Sequence, residues 1–182
     1  MGNNIWQGER IRLRGIEPED WRYHYEWDHN TDDARKSYWI PPPTSKDHAQ
    51  RWAQQTAARE PQNDHYHMQI ETLNGEFVGS INTVNADRRT GTFGYGLAVI
   101  EAQRRKGYAS EAVRLVLRYF FEELRYQKCT IQVYSFNEGS IGLHRRLGFV
   151  EEGRLRRMVY TGGQFYDTLY FGITAEEFAT QG

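Results

Sequence analysis

Arg104-Arg105-Lys106-Gly107-Tyr108-Ala109 combines three cations, one glycine and one small residue in a row. The segment follows an apolar run, Tyr95-Gly96-Leu97-Ala98-Val99-Ile100. It leads into Ala109, Ala112, Val113, Val116, Leu117, Phe120, Phe121 and Leu124, which recur at helical spacing. The pattern predicts a strand, a basic turn and a helix N-terminus. Such a terminus has unpaired backbone N–H groups and partial positive charge, so it can seat a phosphorylated ligand. A solvated basic turn before an amphipathic helix is the simpler alternative. The segment lacks the paired glycines and Lys-Ser/Thr of a P-loop and the three spaced glycines of a dinucleotide fingerprint.

A second stretch, Asn137-Glu138-Gly139-Ser140-Ile141-Gly142-Leu143-His144-Arg145-Arg146-Leu147-Gly148-Phe149, predicts a short helix with Asn137 at its start and Gly148 just past its end. Ser140 and His144 are four apart and share a helix face. Cys129 lies in the apolar run Cys129-Thr130-Ile131-Gln132-Val133-Tyr134 and reads as a small strand residue rather than a nucleophile.

These groups need a scaffold. Ile11-Arg12-Leu13-Arg14 alternates like a strand. Glu17-Pro18-Glu19-Asp20 opens a helix, its acids complementing the dipole. Pro41-Pro42-Pro43 forces extended chain, and Thr44-Ser45-Lys46-Asp47 caps a second helix. Strands over 66–72 and 77–84 flank the hairpin signal Asn74-Gly75. A strand over 92–99 puts Phe93, Tyr95, Leu97 and Val99 on one face and Gly94, Gly96 and Ala98 on the other, where another backbone or a ligand can come close. A long helix over 107–125, the Cys129 strand, the Asn137 helix and strands over 153–160 and 165–173 follow. The order βααβββαβαββ predicts an α/β fold: one domain over 1–182, with a mixed, mostly antiparallel central sheet and helices on both faces.

Composition sets limits. The 182 residues suffice for one core, and the formal net charge of -1 offers no global field for nucleic acid or an anionic membrane. Neither a signal-peptide core nor a membrane-length apolar run is present. The expected setting is cytoplasmic, with no membrane partner and no direct nucleic-acid binding. Monomer and homodimer both stay open.

The Arg-x-x-Gly-x-Ala loop, together with Asn137 and the helix ending in Gly148-Phe149, resembles the GCN5-related N-acetyltransferases (GNAT superfamily). Ile11 to Arg14 and Gly162-Gly163-Gln164-Phe165-Tyr166-Asp167 extend the likeness toward the branch of ribosomal-protein N-terminal acetyltransferases and spermidine acetyltransferases. The resemblance implies direct acetyl transfer from acetyl-coenzyme A to an amine, without a metal, and splayed central strands. It implies cofactor contacts at Leu97 and Val99 for the pantetheine arm, and at Arg104, Arg105, Lys106, Gly107, Tyr108, Ala109 and Ser110 for the pyrophosphate. Asn137 would meet the pantetheine amides, with Arg146 a further contact. His144 stands where many members carry a tyrosine that protonates the thiolate. Ser140 is the rival donor, Glu138 a candidate base, and Tyr38 and Trp39 the acceptor entrance. A peptide N-terminal amine is the first expectation for the acceptor. A small amine or polyamine acceptor, or a non-catalytic acyl-coenzyme A-binding module, is the alternative.

Overall fold

In the computed structural model, which describes residues 4–37 and 40–181, one seven-stranded sheet runs in the order β1-β2-β3-β4-β5-β7-β6. The strands are β1 (Ile11–Gly15), β2 (His67–Thr72), β3 (Phe77–Asp87), β4 (Thr92–Val99), β5 (Lys128–Tyr134), β6 (Val150–Thr161) and β7 (Gln164–Thr174). Every neighbouring pair is antiparallel except β4 and β5. The Asn74-Gly75 signal forms the β2–β3 turn, with Gly75 at φ 86.

The helices are α1 (Trp21–Asp28), α2 (Thr31–Lys36), α3 (Lys46–Ala57), α4 (Tyr108–Arg118), α5 (Glu138–Arg146) and α6 (Ala175–Ala179). Side chains alternate across a strand. His67 accordingly meets Trp52 of α3 on one face, whereas its neighbour Tyr66 meets Phe120 beyond α4 on the other. The helix over 107–125 is therefore shorter than its pattern. α4 ends at Arg118, and the chain continues as one wider π turn, Tyr119–Glu123. Two helices were not anticipated, α2 and α6.

Asp20 does more than the sequence reading gave it. Its carboxylate accepts from the Glu17 N–H at 2.8 Å at the helix start, as an acid in the first turn should. It is buried, receives both terminal nitrogens of Arg14, and accepts from the Gln69 amide at 3.1 Å. Burial pushes its carboxyl up, but the Arg14 hydrogen bonds outweigh this and the net shift is downward.

The core decides how the centre of the sheet opens. Phe93 is fully buried and stacks on Phe120 at 4.0 Å between centroids. There β4 pairs with β5, at Thr92–Lys128 and Phe93–Cys129 only. A Cβ on Gly94 would lie 2.6 Å from the Thr130 carbonyl, so glycine is what permits the close approach at the base of the gap. Beyond it the two strands part.

Candidate active site

The parting strands leave a cleft of about 900 Å³. Leu97, Ala98 and Val99 form one wall, and Asn137, Glu138, Ser140, Leu143 and Arg146 of the α5 region face them. The Arg104–Ala109 loop and α2 close the ends, through Arg105, Gly107, Tyr108, Asp33 and Lys36.

The loop is built for an anion. Arg105 and Gly107 both have left-handed backbone, at φ 62 and 83. For arginine that conformation is strained, and strained residues concentrate at binding sites. Turns of this kind gather successive N–H groups into an anion-binding concavity. The first turn of α4, an 11-residue helix, adds its own free N–H groups. The loop is braced from outside by Arg10. Its guanidinium donates to the Lys106 carbonyl at 2.9 Å and to Glu111 at 3.1 Å.

α2 is strapped over the cleft at three points. Asp33 is buried and takes Arg104 through a short ion pair and Lys36 at 3.2 Å. Burial pushes the Asp33 carboxyl up, yet these two cations outweigh it and hold it below the usual range. The Lys36 carbonyl accepts from the Asn137 amide at 3.5 Å, and Arg35 donates to Thr161 at 3.3 Å. The side-chain oxygen of Asn137 meanwhile caps α5, accepting from the Ser140 N–H at 3.1 Å.

Most of the predicted site comes together. Leu97, Val99, Arg104, Arg105, Gly107, Tyr108, Ala109, Asn137, Glu138, Ser140 and Arg146 all line the cleft. Four residues sit differently from the expected lining. Lys106 and Ser110 are not among the lining residues, and the Lys106 ammonium turns to Gln103 at 2.8 Å. Arg104 does line the cleft, but its guanidinium is committed to Asp33 and to the Val99 carbonyl at 3.0 Å.

His144 does not line it at all. The ring is 4% exposed and packs among Tyr95, Phe149 and Phe171. Burial drives its pKa down to about 4. The imidazole is turned into the core, its two nitrogens on the Ser140 carbonyl and the Tyr95 hydroxyl. Ser140 holds the cleft-facing position. Tyr38 and Trp39 lie outside the described residues. Sequence reasoning missed Asp33 as the anchor of the cleft roof and Tyr95 as the partner of His144. Tyr95 had a usable signal, a tyrosine hydroxyl on the buried face of a central strand, where it must find a partner.

The cleft's shape and donor set fit acetyl-coenzyme A. Along one side the cleft has the edge of β4 beyond its last pairing with β5, and a basic loop of backbone donors lies at one end. Leu97, Val99 and Asn137 would take the pantetheine arm, and Arg105, Gly107 and the α4 N-terminus the pyrophosphate.

Residues 10–150 match the family described as Acetyltransferase (GNAT) domain. The chain is 40% identical over 178 residues to the SPbeta prophage-derived uncharacterized N-acetyltransferase YokL of Bacillus subtilis (strain 168), spanning 98% of this chain and 97% of that protein. The chain belongs to the GNAT acetyltransferases and is an acetyl-coenzyme A-dependent N-acetyltransferase. It is also 25% identical over 176 residues to the spermidine N(1)-acetyltransferase of Escherichia coli (strain K12), covering 94% of this chain and 89% of that one. Its fold matches the crystal structure of spermidine N-acetyltransferase from Vibrio cholerae in complex with CoA and spermine. The TM-score is 0.81 at 20% sequence identity, over 93% of this chain and 98% of that chain. Among the described residues no helix is long and apolar enough to cross a membrane.

Proposed function

We propose that the whole chain acts as one acetyltransferase domain on a peptide or protein N-terminal amine, with Ser140 as hydrogen donor to the departing sulfur. The carrying observation is the charge of the cleft lining. Asp33, the buried acid there, is already neutralised by Arg104 and Lys36. The other lining charges offset one another, Arg105 and Arg146 against exposed Glu101 and Glu138. A polycation would have to displace these pairs, whereas a peptide N-terminus brings a single charge. Ile40-Pro41-Pro42-Pro43 likewise supplies no acid for a polyamine.

The chemistry favours the same acceptor. An N-terminal amine titrates near ~8 against ~10.4 for lysine, so it loses its proton to water without a strong base. Its nitrogen attacks the thioester carbon, and a backbone N–H near Leu97 to Val99 stabilises the carbonyl oxygen. As the C–S bond breaks, sulfur takes the electron pair, the Ser140 hydroxyl hydrogen-bonds to it, and the thiolate then takes a proton from solvent. The proton released by the amine returns through solvent. Glu138, exposed at the first turn of α5, is the nearby acceptor for that proton.

A polyamine acceptor is the second reading, favoured by the relatives named for spermidine. Thiol release from acetyl-coenzyme A decides between them, using peptides with free Ser, Ala, Met and Arg N-termini alongside spermidine and spermine. A peptide should give the highest kcat/KM. Spermidine or spermine exceeding every peptide would overturn the first reading.

A further inference from the structure

The hydrogen bonds around His144 settle which of its nitrogens carries the hydrogen. Nδ1 lies 2.8 Å from the Ser140 carbonyl oxygen. That oxygen can only accept, so Nδ1 is the N–H. Nε2 is then a bare lone pair, and the Tyr95 hydroxyl, 2.8 Å away, donates to it. Burial raises the Tyr95 hydroxyl well above its ordinary range, so it stays protonated as a donor. The order of donation runs one way, from Tyr95 to His144 to Ser140.

This order reaches the Ser140 side chain. Its Oγ is 3.3 Å from the same Nδ1. Because Nδ1 already carries the hydrogen, Oγ can only be the acceptor in that contact. Among the described residues Oγ has no other hydrogen-bond partner, and Ser140 lines the cleft. The hydroxyl hydrogen is therefore left over and available to the cleft. With the opposite tautomer, Ser140 would spend that hydrogen on the imidazole and offer the cleft only lone pairs.

We propose that Tyr95 and His144 form a buried positioning pair that holds Ser140 as a hydrogen donor toward the cofactor sulfur. His144 is a positioning residue, acting through Ser140 and never touching the thioester. The proposal rests on the reading of Ser140 as the donor. It explains why an imidazole occupies a dry site where its own titration is suppressed. The ring is used there for its fixed donor and acceptor sides.

Two measurements test it. Ring-nitrogen NMR of the wild-type protein at pH 7 reads the tautomer of His144 directly. An Nδ1–H, Nε2-bare ring is expected, and an Nε2–H or doubly protonated ring would overturn the proposal. The second is a cycle of Ser140→Ala, His144→Phe and the double variant, with kcat measured by thiol release on the best acceptor of the panel and coenzyme A affinity by calorimetry. Ser140→Ala should lower kcat by ~10²-fold, the scale of a lost proton donor. His144→Phe should lower it on the order of 10-fold, the scale of one hydrogen bond, with coenzyme A affinity kept. The double variant should match Ser140→Ala alone, because His144 has nothing left to position. Additive losses would refute positioning while leaving Ser140 as donor. An unimpaired Ser140→Ala would refute the donor reading itself. Should His144→Phe fail to fold, the tautomer measurement on the wild type still decides.

Discussion

Acid should unfold this protein early and steeply, and His144 should account for a defined share of the slope. His144 and His24 are 4% and 8% exposed, and burial takes both from 6.5 down to about 4. Above pH 6.5 both rings are neutral whether the chain is folded or not, and they impose no pH dependence. As pH falls from about 6.5 toward about 4, the unfolded chain takes up the protons and the folded chain does not. The rings' share of stability is lost across that window, and below it they add no further loss. The spacing of the two values corresponds to roughly 3 kcal/mol for each ring. The two together rival a typical total stability of roughly 5–15 kcal/mol. Near pH 5.3 each ring contributes a slope of about 1.2 kcal/mol per pH unit. Asp64 does not blur the window, because Arg88 holds it near 2 and its own loss comes at lower pH. Urea unfolding of wild type and His144→Gln at pH 7.5, 6.0, 5.3 and 4.8 measures the difference. The variant is expected to start less stable at pH 7.5 and to show a slope shallower by about 1 kcal/mol per pH unit. Parallel slopes for the two proteins would refute the neutral, buried state of His144.

Other outcomes follow from the same structure. Phe93→Ala removes the ring stacked on Phe120 and should cost about 3–5 kcal/mol in urea unfolding, the range for a large aromatic cut from a core. Asp33→Asn leaves Arg104 and Lys36 without their anion. It should lower stability by about 2 kcal/mol, the scale of a charge-assisted hydrogen bond with part-exposed partners, and raise the KM of the acceptor as α2 loosens, checked by unfolding and steady-state kinetics. Arg105→Ala and Arg146→Ala should each weaken coenzyme A binding by about 3- to 10-fold in calorimetry while leaving kcat within about twofold, since both act as charges distant from the thioester.

Much of the scaffold was legible because its signals are local. Asn74-Gly75 declares its turn, the apolar spacing from Ala109 declares α4, and the Gly94, Gly96, Ala98 face declares a close approach. α2 was not legible, because Thr31-Asp32-Asp33-Ala34-Arg35-Lys36 has no apolar period to read. Its position rests on Asp33 finding Arg104, 71 residues along the chain. The same blind spot explains Arg104, which looked like a free phosphate ligand only while its partner was out of sight. For His144 the four-residue step to Ser140 was right and the contact exists. The rotation of α5 against Tyr95, set by packing on Phe149 and Phe171, is a tertiary fact that no helical wheel contains. The π turn at Tyr119–Glu123 is similar, since an ordinary helical period runs through it unchanged.

The narrow junction between β4 and β5 makes this sheet two leaves joined along a short spine, with β1 to β4 on one side and β5 to β7 on the other. On the proposed placement, a cofactor arm lying along Leu97 to Val99 would take the place of a further strand, so binding it would complete the architecture and splint the leaves together. At a free cofactor concentration of 100 times Kd, that linkage adds about 2.7 kcal/mol to the folded state. The gain should concentrate where the leaves part. Amide hydrogen exchange over 94–99 and 130–134 should slow on binding, while β1 and β2 keep their own rates. The gap between β4 and β5 and the proposed site are the same feature seen from two sides: the sheet's least paired region is the one its substrate would finish.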